Sequence, residues 1–142
     1  MKKESRSGCS INLALEVFGD KWTLLIIRDI MLGNKRHFRE ILKSDEKIST
    51  NILTDRLNML EEQGIITKQS DSSHKQKFIY SLTEKGIDLL PVITSIAHWS
   101  LKHEQVDEVS SKHTQYLITG GDSLIKKFME DLKEKHLSKF GS

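Results

Sequence analysis

Ser49-Thr50-Asn51-Ile52-Leu53-Thr54-Asp55-Arg56-Leu57-Asn58-Met59-Leu60-Glu61-Glu62 is the stretch on which the fold turns. Ser49 has the chemistry of an N-cap, because its hydroxyl can accept from an amide of the first turn. On a wheel of 100° per residue with Ile48 at 0°, Ile52, Leu53, Leu57, Met59 and Leu60 spread around roughly 100°. Asn51, Thr54 and Asn58 lie opposite, near about 280°, with Thr50 and Asp55 on their flanks. That exposed face is short, polar and rich in hydrogen-bonding groups. Asn can pair bidentately with adenine, and Thr can bond a base or touch a thymine methyl. A helix made only for solubility more usually carries Glu and Lys there. Glu61 and Glu62 come only at the C-terminal end, where a helix would leave the groove. Arg56 falls on the packed side, which favours a stem laid on the core and a head sent to a phosphate or carboxylate over base readout.

Upstream, Ser10 can cap a helix over Ile11–Phe18, and Asp20 a second over Lys21–Leu32, ended by Gly33-Asn34. The second is apolar nearly all round and is expected at the centre of the core. A third short helix, about His37–Lys43, carries Phe38, Ile41 and Leu42 on one side, and Ser44–Lys47 is a polar turn. Lys35, Arg36, His37 and Arg39 cluster where that helix starts, a placement suited to backbone phosphates. Downstream, Gly64 stops the quoted helix, and two β-rich runs, Ile65–Gln69 and Lys77–Leu82, flank a polar segment. This hairpin presents His74, Lys75 and Lys77. Thr83 caps a helix continuing to Leu101, with a kink or break expected at Pro91. Residues 104–115 are expected to be a polar loop. A last amphipathic helix, marked by Leu124, Ile125, Phe128, Met129 and Leu132, is expected to begin near Asp122. Helix, helix, turn, helix, hairpin is the order of a winged helix-turn-helix, an α+β fold that is mainly helical.

Composition narrows the alternatives. At 142 residues with 37% apolar content, one domain with an added helix is expected. No apolar run approaches the roughly 20 residues of a membrane span, and no signal-peptide core follows the basic N-terminus. A cytoplasmic protein without membrane contact is the expectation. The net charge of +2 neither demands nor excludes nucleic acid. Cys9 is the single cysteine, so an intramolecular disulfide and any multi-cysteine zinc site are impossible. His98 and His103 are spaced too widely to share a metal along one helix face. Gly120-Gly121-Asp122 reads as a turn that opens a helix, not a nucleotide fingerprint. Nothing marks a catalytic centre, so neither enzyme activity, cofactor nor metal is expected.

A family resemblance rests on an ordered set of motifs. They are Cys9, Leu15-Glu16-Val17-Phe18-Gly19-Asp20-Lys21-Trp22, Ile27-Arg28-Asp29, Gly33, Arg36-His37-Phe38-Arg39-Glu40-Ile41 and Ile48-Ser49. Leu53-Thr54-Asp55-Arg56-Leu57, Leu60-Glu61-Glu62-Gln63-Gly64-Ile65-Ile66, Tyr80-Ser81-Leu82-Thr83-Glu84-Lys85-Gly86, Pro91 and Trp99 complete it. Together they resemble the HxlR family of winged-helix regulators over about residues 9–101. The resemblance implies a homodimeric transcriptional regulator that binds double-stranded DNA, paired through the N-terminal helix and the long helix after the wing. The family usually has Pro where this chain has Ser10, and a Pro-Arg step that this wing lacks. Some members sense electrophiles or oxidants through a cysteine at the position of Cys9. A thiolate near a cation or a helix N-terminus would be reactive; the plainer reading is a small residue packed before the first helix.

The expected organisation is therefore a DNA-binding unit over 9–103 that includes the dimerisation helices, followed over 104–142 by a polar loop and an amphipathic helix. The expected DNA-facing set is Ser49, Thr50, Asn51, Thr54, Asp55, Arg56 and Asn58 for the groove, Lys35, Arg36, His37 and Arg39 for the backbone, and His74, Lys75 and Lys77 for the wing. Two rival readings are a winged-helix module that binds only protein, and a dimer whose small-molecule effector enters between helices instead of reacting at Cys9.

Overall fold

Ile26, Ile27, Ile30 and Met31 sit at the centre of the core, where the most apolar helix of the sequence was expected. They belong to α2 of a computed structural model that describes residues 4–73 and 77–137. In chain order the elements are α1 (Ser10–Phe18), α2 (Thr23–Met31), α3 (Phe38–Leu42), α4 (Thr50–Glu62), β1 (Ile66–Ser70), β2 (Phe78–Leu82), α5 (Glu84–Ile87), α6 (Leu90–His103) and α7 (Lys112–His136). The winged helix-turn-helix read from the sequence is the fold.

Local chemistry explains most boundaries. Asp20 accepts from the amides of Trp22 and Thr23 and from the Thr23 hydroxyl, so it caps α2 although the helix proper begins three residues later. Ser49 accepts from the Ile52 amide at 3.2 Å and caps α4. Gly64, at φ 73, ends α4 in the left-handed region, a conformation that costs a glycine little. The α1 cap is Cys9, not Ser10, which is the first helical residue. β1 and β2 pair antiparallel with Ile66 opposite Leu82 and Ser70 opposite Phe78. The helix expected from Thr83 to Leu101 is broken: α5 ends at Ile87, and Pro91 lies in the first turn of α6. A proline lacks the amide that a continuous helix needs, and its fixed φ suits a helix start.

The closing helix departs most from expectation. α7 begins at Lys112, ten residues before Asp122, and the Gly120-Gly121-Asp122 turn is a kink within it. Gly121 adopts φ 71 and ψ −165, a region essentially closed to other residues. The kink lets both arms face inward. Leu117 from the first arm and Leu132 from the second are fully buried, and so is His136. Leu124, Ile125, Phe128 and Met129 pack against the same core. Among the described residues no helix is long and apolar enough to cross a membrane.

Candidate nucleic-acid interface

α4 buries Leu53, Leu57 and Leu60 and turns Thr50, Asn51, Thr54, Asp55 and Asn58 to solvent. Among the described residues, the side chains of this polar face make no hydrogen bond or ion pair outside α4. The Thr54 hydroxyl donates to the Thr50 carbonyl at 2.9 Å, within the helix. Arg56 is half-buried; its Nε donates to Asp20 Oδ2 at 3.0 Å, and its Nη1 pairs with Asp55. Burial opposes the charge on Asp20, but hydrogen bonds from Thr23, Trp22 and Arg56 prevail and hold its carboxyl down to about 2. Arg56 thus anchors α4 to the turn before α2. A second anchor sits at the other side of the helix-turn-helix. Arg28 forks onto Glu46 at 2.8 and 2.9 Å and reaches Asp29 at 2.8 Å. The Glu46 carboxyl is held down to about 2, chiefly by that Arg28 hydrogen bond. Ser44 donates to the buried Asp29. The turn that presents α4 is therefore tied to α2 by charge-assisted hydrogen bonds.

The four cations around the start of α3 do not form one phosphate-binding cluster. Arg36, read from the sequence as a backbone contact, is 9% exposed. Its Nε donates to the Tyr80 carbonyl and its Nη2 to Ser81 Oγ, both at 2.6 Å. It braces β2 from within and is corrected to a structural role. Lys35 leans inward, 3.4 Å from Ser44 Oγ and 4.0 Å from Asp29. His37 bridges Glu40 at 3.1 Å and Asp71 at 2.8 Å, linking α3 to the base of the wing loop. The Asp71 carboxyl is pulled well below its ordinary value by hydrogen bonds from Ser73 and His37. Arg39 alone of the four is exposed and without an ion pair among the described residues. It shares with Lys77 a groove of about 250 Å³ between α3 and β2, walled by Phe38, Phe78 and Tyr80. His74 and Lys75 lie outside the described residues. Lys68, which the sequence reading missed, is a further exposed cation of the wing, with its Nζ 4.2 Å from the Phe78 ring centroid. A lone Lys in a short strand carries no signal of its own until the cross-strand register is known.

A model of the HxlR-like helix-turn-helix family matches residues 17–108. The chain belongs to the HxlR-like family. It is similar to an uncharacterized HTH-type transcriptional regulator, YdeP of Bacillus subtilis, at 33% identity over 105 residues, 73% of this chain and 81% of that protein. Among solved structures it resembles the reduced transcriptional regulator YodB of B. subtilis, with a TM-score of 0.57, 31% identity, and coverage of 68% of this chain and 95% of that one. The redox regulator HypR in its oxidized form gives the same TM-score and identity over 69% of this chain and all of its own. YodB has also been solved with a quinone bound. This chain is accordingly an HxlR-type transcriptional regulator, a DNA-binding protein and not an enzyme.

Cys9 lies just outside the matched span. It is exposed, and at the N-terminus of α1 the amides of Asn12 and Ile11 favour its thiolate and lower its pKa. Next to it, α1 has no buried residue, and Ile11 is 70% exposed. Trp99 on α6 is 59% exposed. No group of three or more His, Cys, Asp or Glu among the described residues is placed to hold a metal ion.

Proposed function

We propose that this regulator acts as a homodimer, each copy laying the exposed face of α4 in a major groove of one operator half-site. The observation that carries this reading is the exposed polar face of α4, Thr50, Asn51, Thr54, Asp55 and Asn58, held outward while Arg56 is turned back to Asp20. Ser49 supports it as the N-cap. Arg39 and Lys77, in one groove beside the wing, hold phosphates and set register without reading sequence. The DNA-binding unit spans 9–103. The exposed apolar residues of α1 and α6 favour dimerisation, since monomers seldom leave such patches open. Two-fold symmetry then sets half-sites about one helical turn apart, or a multiple of that.

Occupancy of the operator responds to a chemical signal at Cys9. Its thiolate adds to an electron-poor ring carbon of a quinone: the C–S bond forms as the ring C=C π bond breaks, its electron pair passes to a carbonyl oxygen, and that oxygen takes a proton from solvent. With peroxide, the two thiols of a dimer give up two electrons and two protons, forming one disulfide and two waters. Relatives solved in reduced, oxidized and quinone-bound forms support this reading.

The test is binding to DNA from the chain's own upstream region across a salt series. Affinity should fall steeply with salt, as phosphate contacts require; a flat response would sink the DNA reading. Asn51→Ala and Thr54→Ala should each lower specific affinity by about tenfold, in line with about 1–3 kcal/mol per base contact, and spare non-specific affinity. Lys77→Ala should lower both. Cys9→Ser should abolish release by quinone or peroxide, and unchanged release overturns the thiol mechanism.

A further inference from the structure

The outer edge of β2 is closed by Arg36, from the turn before α3, and by His136, from the end of α7. At Tyr80, the Arg36 carbonyl accepts the strand N–H at 2.8 Å and the Arg36 guanidinium donates to the strand carbonyl. Two residues on, along the same edge of the pleat, the Leu82 N–H donates to Nδ1 of His136 at 3.0 Å. His136 is 2% exposed. Among the described residues its Nε2 has no hydrogen-bond partner. An imidazole that accepts at Nδ1 in its neutral form carries the proton on Nε2, so that buried N–H is unsatisfied. A leucine at 136 would remove this orphan donor but would leave the Leu82 amide without an acceptor. The choice of histidine is thus explained by what it offers β2, not by packing.

β2 begins at Phe78, directly after Lys77, and the two residues form the far wall of the groove that Arg39 also lines. The edge of a two-stranded hairpin has little else to hold it. We propose that His136 is a positioning residue for the wing: from the end of α7 it fixes the base of β2, and through β2 the placement of Lys77 against DNA. α7 lies beyond the family-matched residues 17–108, so this chain carries its wing clamp in its own C-terminal helix. The inference rests on the reading in which the wing touches phosphate.

The test compares the full-length chain with His136→Leu, His136→Asn and Lys77→Ala. The measurements are amide hydrogen exchange along β2 and affinity for upstream DNA. Asn places an acceptor oxygen where Nδ1 lies; Leu fills the volume without one. His136→Leu should speed exchange at Leu82 and weaken DNA binding about tenfold, and His136→Asn should restore both to within about threefold. Lys77→Ala weakening DNA while His136→Leu leaves affinity unchanged overturns the proposal and spares the wing reading. Both variants leaving affinity unchanged overturns the wing reading and the proposal with it. If His136→Leu fails to fold, His136→Asn is set against His136→Gln, whose acceptor falls one atom further out. Asn should then bind as the native chain does and Gln about tenfold more weakly, and equal affinities overturn the proposal.

Discussion

α1 and α7 are both amphipathic helices at the borders of the winged-helix unit, and the fold treats them oppositely. α7 turns Leu117, Leu132 and His136 into the core of its own chain. α1 buries nothing, and of its residues only Val17 packs against the core. Its polar contacts are made with its own leading arm, through Arg6 to Asn12 at 2.6 Å and Asn12 to the Ser7 carbonyl at 3.1 Å. An apolar stripe therefore says that a helix needs a partner, and says nothing of whether that partner is the same chain. The difference also divides chemistry from structure. The exposed Cys9 stands at the start of the helix that buries nothing, and the buried imidazole ends the one turned into the core.

The contrast can be broken most forcefully at α7. Leu132→Ala should cost about 2–5 kcal/mol of stability, the range for a buried leucine truncated in a core, measured by denaturant unfolding of the full chain. A cost below about 1 kcal/mol would show that α7 is an appendage. At α1 the expected effect falls on assembly. The double substitution Ile11→Glu with Leu15→Glu should weaken dimerisation at least a hundredfold by sedimentation and shift the midpoint of unfolding of the monomer little. A stable, dimeric double variant would remove α1 from the interface.

Acid sharpens the comparison further. Burial holds His136 down to about 3 from an ordinary 6.5. Between those values the unfolded chain binds a proton that the folded chain refuses, so stability is complete above 6.5 and declines as pH falls towards 3. At most about 1.4 kcal/mol is lost per pH unit. Lowering pH from 7 to 5 should cost the native chain about 1–2 kcal/mol more than it costs His136→Asn, and parallel pH profiles would contradict the buried neutral imidazole. The smallest effect is expected at the arm of α1. Arg6 pairs with Glu16 across solvent at 3.5 Å, and Arg6→Ala should leave the melting temperature unchanged, because exposed ion pairs contribute little. A clear drop would mean that the arm is part of the folded unit.

How far the sequence could be read follows from how locally each feature is determined. α4 was legible to the residue because its cap, its buried stripe and its polar face all lie within fourteen consecutive positions. The break at Pro91 was legible because proline acts on its own backbone. Arg36 was not, since a cation among cations reads as surface until the carbonyl of Tyr80 and the hydroxyl of Ser81 are seen to converge on it across the fold. The start of α7 was hidden by the Gly120-Gly121 pair, whose turn chemistry suits a loop as well as a kink. His136 gave no sign at all, because the amide that its Nδ1 accepts from lies 54 positions away.

A methyl group at position 121 would meet no atom within 4 Å. The constraint there is torsional alone: any other residue can be accommodated in space but not in the φ and ψ the chain adopts. A single codon therefore governs the direction in which the last fifteen residues of α7 leave the kink. A substitution at that codon would leave every residue of the polar face of α4 intact and still redirect the end of α7 away from the strand it meets. Such a lesion would be invisible to any survey confined to the family domain.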